Sequence, residues 1–272
     1  VQDELTKKII TAMQVELTEG EQARVDAKGT NNLEAYLKYL KARENINKLN
    51  AEGNALGKEL AQQAIDLDSQ FAMAYRILAA GHRMDLFLGS SKSPKQSIGM
   101  CIKLLKKAIE LDETYAEAYG ALGFTFSMIE EHDKAVANAE RAAALNPNSA
   151  YVHMRLGHTL RFAGRYEEAI PEYKKAIRLN PIPPNLYLYS LGISYAWTGQ
   201  YEEAITWCEK AVRQAPDSLL DRMMMAVVYS FSGRDEEARA EATEVLRIQP
   251  KFSLEKFAKK LTYKREEDRE KF

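Results

Sequence analysis

Histidine, cysteine and carboxylate side chains are the residues of this chain that could do chemistry, and histidine is scarce. The four histidines are His82, His132, His153 and His158. The last two are five residues apart, which separates their directions on a helix by about 140°, so they cannot hold one metal ion as an i, i+4 pair could. His158 is expected either to contact a ligand or to be an exposed imidazole with no role. No metal site is predicted.

The other reactive residue types fit structural roles. The two cysteines, Cys101 and Cys208, fall at packing positions of predicted helices, where a thiol behaves as a small apolar side chain. Pairs of adjacent acids recur at the starts of predicted helices, where the positive end of the helix dipole favours a carboxylate. These pairs are Glu167-Glu168, Glu202-Glu203 and Glu236-Glu237. The sequence contains no nucleophile elbow and no glycine-rich phosphate loop, so we predict a protein that is not an enzyme and needs no cofactor.

The balance of charge argues against two classes of partner. Lysine and arginine total 38 and aspartate and glutamate 39, a formal net charge of −1, so the chain lacks the positive field by which proteins bind nucleic acids. No apolar run approaches the roughly 18 residues that a membrane span requires, so no membrane insertion is predicted. The N-terminal residues carry acids where a secretory signal would carry bases, which favours a cytoplasmic location. Because the chain begins with Val1, it is expected to be a processed product or a piece of a longer protein.

The elements that must position any site follow an internal period. Small residues and helix-ending residues recur at intervals of 34, 35 and 34 residues. The alanines are Ala135, Ala169, Ala204 and Ala238, and the prolines are Pro147, Pro181, Pro216 and Pro250. A unit of this length accommodates two helices and a turn, and it buries its apolar face only by stacking on its neighbours.

Residues 150–181 carry a resemblance to a known family. Leu156-Gly157 resembles the Leu-Gly pair in the first helix of the tetratricopeptide repeat. Ala169 and Tyr173 resemble the small and the bulky residue of the second helix, and Pro181 ends that helix because proline has no N–H group to continue it. The resemblance implies an all-α fold: a right-handed superhelical solenoid of antiparallel helix pairs with flanking helices at both ends.

The period divides the chain into three parts. Residues 1–31 are predicted to form an amphipathic helix and a linker, and residues 251–272 a C-terminal capping helix and a charged tail. The array between them has about six repeats, of which the first two are degraded. The second contains an insertion at 86–97, which we interpret as a tolerated surface insertion, with a contact loop or a modification site as the alternative. The predicted repeats are 32–69, 70–113, 114–147, 148–181, 182–216 and 217–250.

The segments that frame the array carry a second resemblance. QDELTKKIITAMQVELTEGEQAR, AKGTNNLEAYLKYLKAREN and the closing FSLEKFAKKLTYK are similar to segments of bacterial multidomain proteins in which a nucleotide-cyclase or TolB-like region precedes a tetratricopeptide array. This resemblance implies a C-terminal regulatory or interaction region, and not the cyclase itself.

The resemblance also implies that the first helix of each repeat lines a concave groove. At 100° per residue, positions 2, 5, 9 and 12 of each first helix point away from the core positions, and we predict that they bind a peptide. The N-terminal half of this groove carries arginines, and the C-terminal half is apolar and expected to be exposed. The predicted groove residues are Met73, Arg76, Arg83, Phe124, Tyr151, Met154, His158, Arg161, Leu186, Tyr189, Ile193, Leu220, Met223 and Val227.

An exposed apolar groove favours a partner helix, an extended peptide or self-association. We therefore predict a protein–protein interaction scaffold whose partner is a protein or peptide, with a homodimer as a further possibility. One alternative is a regulatory or dimerisation domain that couples a larger cyclase-like enzyme and has no separate peptide ligand. Another is a hydrolase or transferase in its own right, for which the sequence offers no motif.

Overall fold

The structure is a computed structural model that describes residues 29–258 and 262–272. The amphipathic helix predicted at the N-terminus lies outside the described residues. Within them the chain forms fourteen α-helices and no strand, so the prediction of an all-α helical repeat fold is confirmed. None of the described helices is long and apolar enough to cross a membrane.

Twelve longer helices are followed by two short ones. In chain order, the longer helices are α1 (Leu33–Ile46), α2 (Ala51–Leu67), α3 (Ala72–Leu88), α4 (Pro94–Leu111), α5 (Ala116–Ser127), α6 (His132–Leu145), α7 (Ala150–Phe162), α8 (Tyr166–Leu179), α9 (Asn185–Trp197), α10 (Tyr201–Gln214), α11 (Leu219–Phe231) and α12 (Asp235–Ile248). Five pairs of consecutive helices pack together: α1 with α2, α5 with α6, α7 with α8, α9 with α10, and α11 with α12. The short helices are α13 (Leu254–Ala258) and α14 (Glu266–Lys271).

The chain divides into two compact units, residues 1–100 and 101–272, and the boundary falls within α4. In the first unit, α1, α2 and α3 pack on one another. Asparagine caps begin two of these helices: the side chains of Asn32 and Asn50 accept hydrogen bonds from the backbone N–H groups of Ala35 and Gly53. Such caps satisfy donors that the first turn of a helix leaves unpaired.

In the second unit, each second helix packs on the first helix of the next pair: α6 on α7, α8 on α9, and α10 on α11. First helices also contact one another, α5 with α7, α7 with α9 and α9 with α11. The turn inside each pair needs a left-handed residue. Gly164, Gly199 and Gly233 supply it with φ of 77°, 77° and 74°, and Glu130 supplies it between α5 and α6 with φ of 61°. Glycine adopts this conformation without the strain that a Cβ atom causes.

The helices of a pair approach closely where the period places glycine. A Cβ atom on Gly192 would lie 2.5 Å from the sulfur of Cys208 and 2.9 Å from the carbonyl oxygen of Ala204. At Gly157 the nearest atoms belong to the ring of Tyr173, which is fully buried. Both cysteines of the chain are buried, and neither forms a disulfide. Burial raises the pKa of the Cys208 thiol, in keeping with the packing role expected for it.

Candidate interaction surface

Contact between successive first helices changes the predicted groove of the second unit. Successive first helices pack on one another, and the inner positions of the groove are buried among them. Two of these residues, Met223 and Val227, also border the cavity described below. The buried residues of the predicted groove are Met154, His158, Arg161, Tyr189, Ile193, Met223 and Val227. The expectation that the apolar half of the groove is exposed is therefore wrong for Tyr189, Ile193, Met223 and Val227, whereas the binding role of the groove residues stays a prediction.

The other predicted groove residues are half-buried, and their side chains therefore retain some accessible surface. In the first unit they are Met73, Arg76 and Arg83, and in the second unit Phe124, Tyr151, Leu186 and Leu220. Tyr151, Leu186 and Leu220 occupy the same position near the start of α7, α9 and α11. We call Phe124, Tyr151, Leu186 and Leu220 the open edge. It retains the apolar and aromatic character that was predicted for the groove.

An arginine that the predicted groove did not include completes the open edge. The guanidinium carbon of Arg155 lies 4.3 Å from the ring centre of Phe124 and 5.0 Å from that of Tyr151. Arg155 is half-buried, and no carboxylate among the described residues forms an ion pair with it. A cation held between two aromatic faces and lacking an ionic partner can accept an acidic group of a ligand.

His158 lies between the open edge and the far end of α7, and it is not the exposed imidazole that was one of its expected states. Its Nε2 atom is 3.0 Å from the hydroxyl oxygen of Ser190, and its ring lies 5.7 Å from that of Tyr173. Burial, together with the charges of Arg161 and Arg155, holds the pKa of His158 well below its usual value. The imidazole is therefore neutral at pH 7.

Arg161 is a buried cation instead of an accessible rim charge, and only 7% of it is exposed. Its Nη1 atom donates to the hydroxyl oxygen of Tyr263 at 2.7 Å, and its guanidinium carbon lies 4.4 Å from the ring centre of Phe162. The Nε atom has no hydrogen-bond partner among the described residues. A buried charge needs compensating partners, and the groups that face it among the described residues are the neutral phenols of Tyr263 and Tyr173.

Residues 262–272, which we call the C-terminal segment, cover Arg161. The segment contains the predicted charged tail, and it packs against the turns of the helix pairs that precede it. Tyr263 is 1% exposed, and its ring centre lies 5.1 Å from that of Phe162 and 5.7 Å from that of Trp197. The backbone N–H of Lys264 donates to the carbonyl oxygen of Phe162 at 2.8 Å.

Three aromatic residues beneath the C-terminal segment occupy equivalent positions in successive repeats. Phe162, Trp197 and Phe231 are the last residues of α7, α9 and α11, and they are 35 and 34 residues apart. We call them the aromatic row. The ring centres of Trp197 and Phe231 are 5.0 Å apart. Each member of the row lies one residue beyond position 12, the last predicted groove position of a first helix. The period of 34 and 35 residues relates the three members and could have predicted them.

The C-terminal segment also makes polar contacts with this surface. The hydroxyl of Tyr166 donates to the carboxylate of Asp268, and the Nε atom of Arg265 donates to the same carboxylate at 2.8 Å. Burial and this carboxylate raise the pKa of Tyr166. The Nζ atom of Lys271 lies 5.2 Å from the ring centre of Trp197 and 4.6 Å from that of Phe231.

An apolar cavity of about 580 Å³ opens beside the end of the chain. Met223 and Val227 of the predicted groove line it, together with Phe252, Leu254 and Phe272. The predicted capping helix corresponds to α13, whose Phe257 packs against the main core cluster of the second unit. Among the described residues, no group of histidine, cysteine and acidic side chains is arranged to hold a metal ion.

Comparisons with known proteins agree with this architecture. The model of the tetratricopeptide repeat family matches residues 129–181 and 154–218. The chain is 31% identical over 135 residues to "Putative adenylate cyclase 3" of Rhizobium meliloti (strain 1021); the match covers 50% of this chain and 23% of that protein. The chain thus spans about a quarter of the length of this curated relative.

Solved structures resemble the chain at the level of the fold. A thermophilic tetratricopeptide repeat protein of Thermus thermophilus is 20% identical with a TM-score of 0.56, and the match covers 70% of this chain and 98% of that one. The Cut9–Hcn1 hetero-tetramer of the APC/C contains a chain that is 16% identical with a TM-score of 0.66, and the match covers 93% of this chain and 51% of that one.

Proposed function

We propose that the chain, of which residues 129–218 match the tetratricopeptide repeat family, is a protein–protein interaction scaffold that binds a peptide or helix of a partner protein along the open edge. Repeats of this kind stack into extended surfaces that are suited to recognition of a polypeptide. The proposal includes no catalytic step and no cofactor, and a cytoplasmic location stays a prediction.

The observation that carries the proposal is the arrangement of Arg155 between Phe124 and Tyr151. The three side chains come from two adjacent first helices and are all half-buried. Aromatic and arginine side chains dominate the energetics of protein interfaces, because they combine large contact areas with directed polar groups. Leu186 and Leu220 continue the surface at the same position of the next two repeats. The matching partner segment carries apolar side chains and an acidic residue.

Affinity capture with matched variants tests this proposal. The purified chain captures a partner from a lysate of its own organism, and the experiment is repeated with Tyr151→Ala, Arg155→Ala and Arg213→Ala. Arg213 is the control, since it is an exposed arginine on α10 that pairs with Glu209. We expect Tyr151→Ala and Arg155→Ala to lose the captured protein and Arg213→Ala to keep it. Capture that survives both open-edge substitutions would rule out the open edge as the binding site.

A second candidate function is regulation or dimerisation of a larger cyclase-like enzyme. It is favoured by the match to a relative that is named as an adenylate cyclase, of which this chain spans about a quarter. Light scattering of the purified chain at rising concentration tests dimerisation, and a monomer at every concentration would argue against it. A catalytic domain encoded upstream of Val1 in the same reading frame would favour the regulatory role.

A further inference from the structure

We propose that the C-terminal segment is a displaceable cover, and that the aromatic row and Arg161 beneath it form a second binding site. The occupant that displaces the cover is a segment of a partner protein that carries an aromatic side chain and a carboxylate. This inference rests on the proposed function, because it gives the same partner-binding array a second subsite.

The C-terminal segment is attached by few strong contacts. Its two outermost ion pairs, Lys264 with Asp133 and Arg269 with Glu130, join exposed side chains, and such pairs contribute little to stability. Its only helix among the described residues, Glu266–Lys271, has six residues and is too short to be stable alone. Tyr263 and Asp268 are its two buried side chains. Detachment would therefore expose two buried side chains and break the contacts of Lys264 and Lys271 with the aromatic row, while the helix pairs stay packed.

The surface beneath the cover has the composition of a binding site. Without the segment, Phe162, Trp197 and Phe231 would present aromatic rings at equivalent places in three successive repeats. A row of rings that extends over three repeats is complementary to the side chains along an extended or helical segment of a partner. Exposed apolar surface of this kind is typical of interaction sites. The cover already occupies this surface with an aromatic ring of its own, that of Tyr263.

Arg161 defines the chemistry of the partner. Tyr263 gives it one neutral hydrogen bond, and its buried Nε atom is left without a partner among the described residues. A carboxylate can bond two guanidinium N–H groups at once and also neutralises the charge, which a phenol cannot do. The native cover is therefore an imperfect ligand for its own site. A partner segment with a carboxylate in the place of the Tyr263 hydroxyl competes with it.

The first experiment uses the full chain and a synthetic peptide with the sequence of residues 262–272, labelled with fluorescein. Tyr263→Ala together with Asp268→Ala removes both buried side chains of the cover. We expect the peptide to bind this double variant at least about tenfold more tightly than the wild type, because a tethered segment competes at a high effective concentration. Equal binding to the two proteins, or no binding to either, would overturn the proposal.

A second measurement on the wild-type chain remains informative if the double variant fails to fold. Hydrogen exchange compares the exchange rate of the Lys264 amide with the rates of the amides in α9. The Lys264 amide donates to the carbonyl oxygen of Phe162, so its exchange requires the C-terminal segment to open. We expect Lys264 to exchange by local opening, faster than α9, and to exchange faster still when the peptide is added in excess. Exchange as slow as that of α9 would make the segment part of the core and exclude its role as a cover.

The requirement for a carboxylate is tested with a peptide in which p-carboxyphenylalanine replaces the tyrosine of position 263. We expect about tenfold tighter binding than that of the parent peptide, and we expect Arg161→Gln in the double variant to abolish this gain. An analogue that binds no better than its parent would disprove the carboxylate preference. A dimer of the double variant in light scattering, formed by exchange of the segments, would assign the site to a second copy of the chain.

The two proposals fail in different ways. Arg155 lies on the open edge, over Phe124 and Tyr151. We therefore expect Arg155→Ala to leave the affinity of the protein for the peptide unchanged. If the peptide binds the double variant but Arg155→Ala does not change capture of the partner, the open edge is not the binding site, and the proposal of a displaceable cover stands. If Arg155→Ala abolishes capture but the peptide binds neither protein, the C-terminal segment is not a displaceable cover, and the proposed function stands.

Discussion

The two ends of the first helices in the second unit differ in what lies over them. Near their starts, the open edge leaves Tyr151, Leu186 and Leu220 half-buried at one position of three repeats. At their ends, the aromatic row at another repeated position lies beneath Tyr263 and Lys271 of the chain itself. Both surfaces follow the same period. A repeat thus offers several equivalent rows of side chains, and the contacts made by residues outside the array decide which of them stays open.

The largest expected effect contrasts two tyrosines that are almost equally buried, Tyr173 in the core at 0% exposure and Tyr263 in the cover at 1%. Tyr173→Ala should lower the free energy of unfolding by about 3–5 kcal/mol, as loss of a large core aromatic does. Tyr263→Ala should cost about 1 kcal/mol or less, because the segment can detach while the core stays intact. Urea denaturation followed by circular dichroism measures both. Equal losses would mean that the C-terminal segment belongs to the core.

The next effect concerns the helix crossing that places both surfaces. Gly192→Leu should destabilise the second unit by about 3 kcal/mol, since the added side chain meets the sulfur of Cys208 and the carbonyl of Ala204. Gly99→Ala is the control, because a Cβ atom there has no neighbour within 4 Å. In the middle of a helix this control should stabilise by about 0.5–1 kcal/mol. The midpoint temperature of thermal unfolding should fall for Gly192→Leu and rise for Gly99→Ala, relative to the wild type. A change in the same direction for both variants would contradict the close helix crossing at Gly192.

A smaller effect separates the two contributions within the open edge. With the captured partner, Tyr151→Ala should weaken binding by about 2 kcal/mol at any salt concentration, as loss of an aromatic hot spot does. The loss from Arg155→Ala should shrink as salt is added, because a partly exposed charge is screened. Titration calorimetry at low and high ionic strength measures both. A salt-independent Arg155→Ala effect would indicate that the arginine acts through packing.

The smallest effect lies at His158, whose ring contacts Phe124 of the open edge and Phe162 of the aromatic row. Its pKa in the folded protein is far below 6.5, so the unfolded chain binds the proton more readily. The contribution of His158 to stability is therefore fully present above pH 6.5, and it is lost as the pH falls below that value.

His158→Gln should flatten this part of the stability curve when urea denaturation is measured from pH 7.5 to pH 5. The pKa values of His82 and His132 are also lowered in the folded protein, so the difference between variant and wild type isolates His158. An unchanged slope in the variant would show that His158 does not titrate in this range.

Local sequence determined the helical repeat fold, because helix pairs are specified by residues only a few positions apart. The alanines and prolines spaced by 34 and 35 residues indicated the pairs, and the glycines at 157 and 192 indicated the close crossings that the structure contains. Helical geometry placed Phe124 and Tyr151 in the predicted groove, and both retain accessible surface, while their binding role stays a prediction.

Only the tertiary structure decided which surface is covered. Tyr189, Ile193 and Met223 were predicted to face an open groove, but they are buried in the core cluster of the second unit, where successive first helices pack on one another. Arg161 and Tyr263 meet across 102 residues of sequence, and so do Tyr166 and Asp268. A period describes what recurs every 34 or 35 residues, so it cannot specify a contact made once. Chain folding alone brings the C-terminal segment to the aromatic row, and it leaves the open edge accessible.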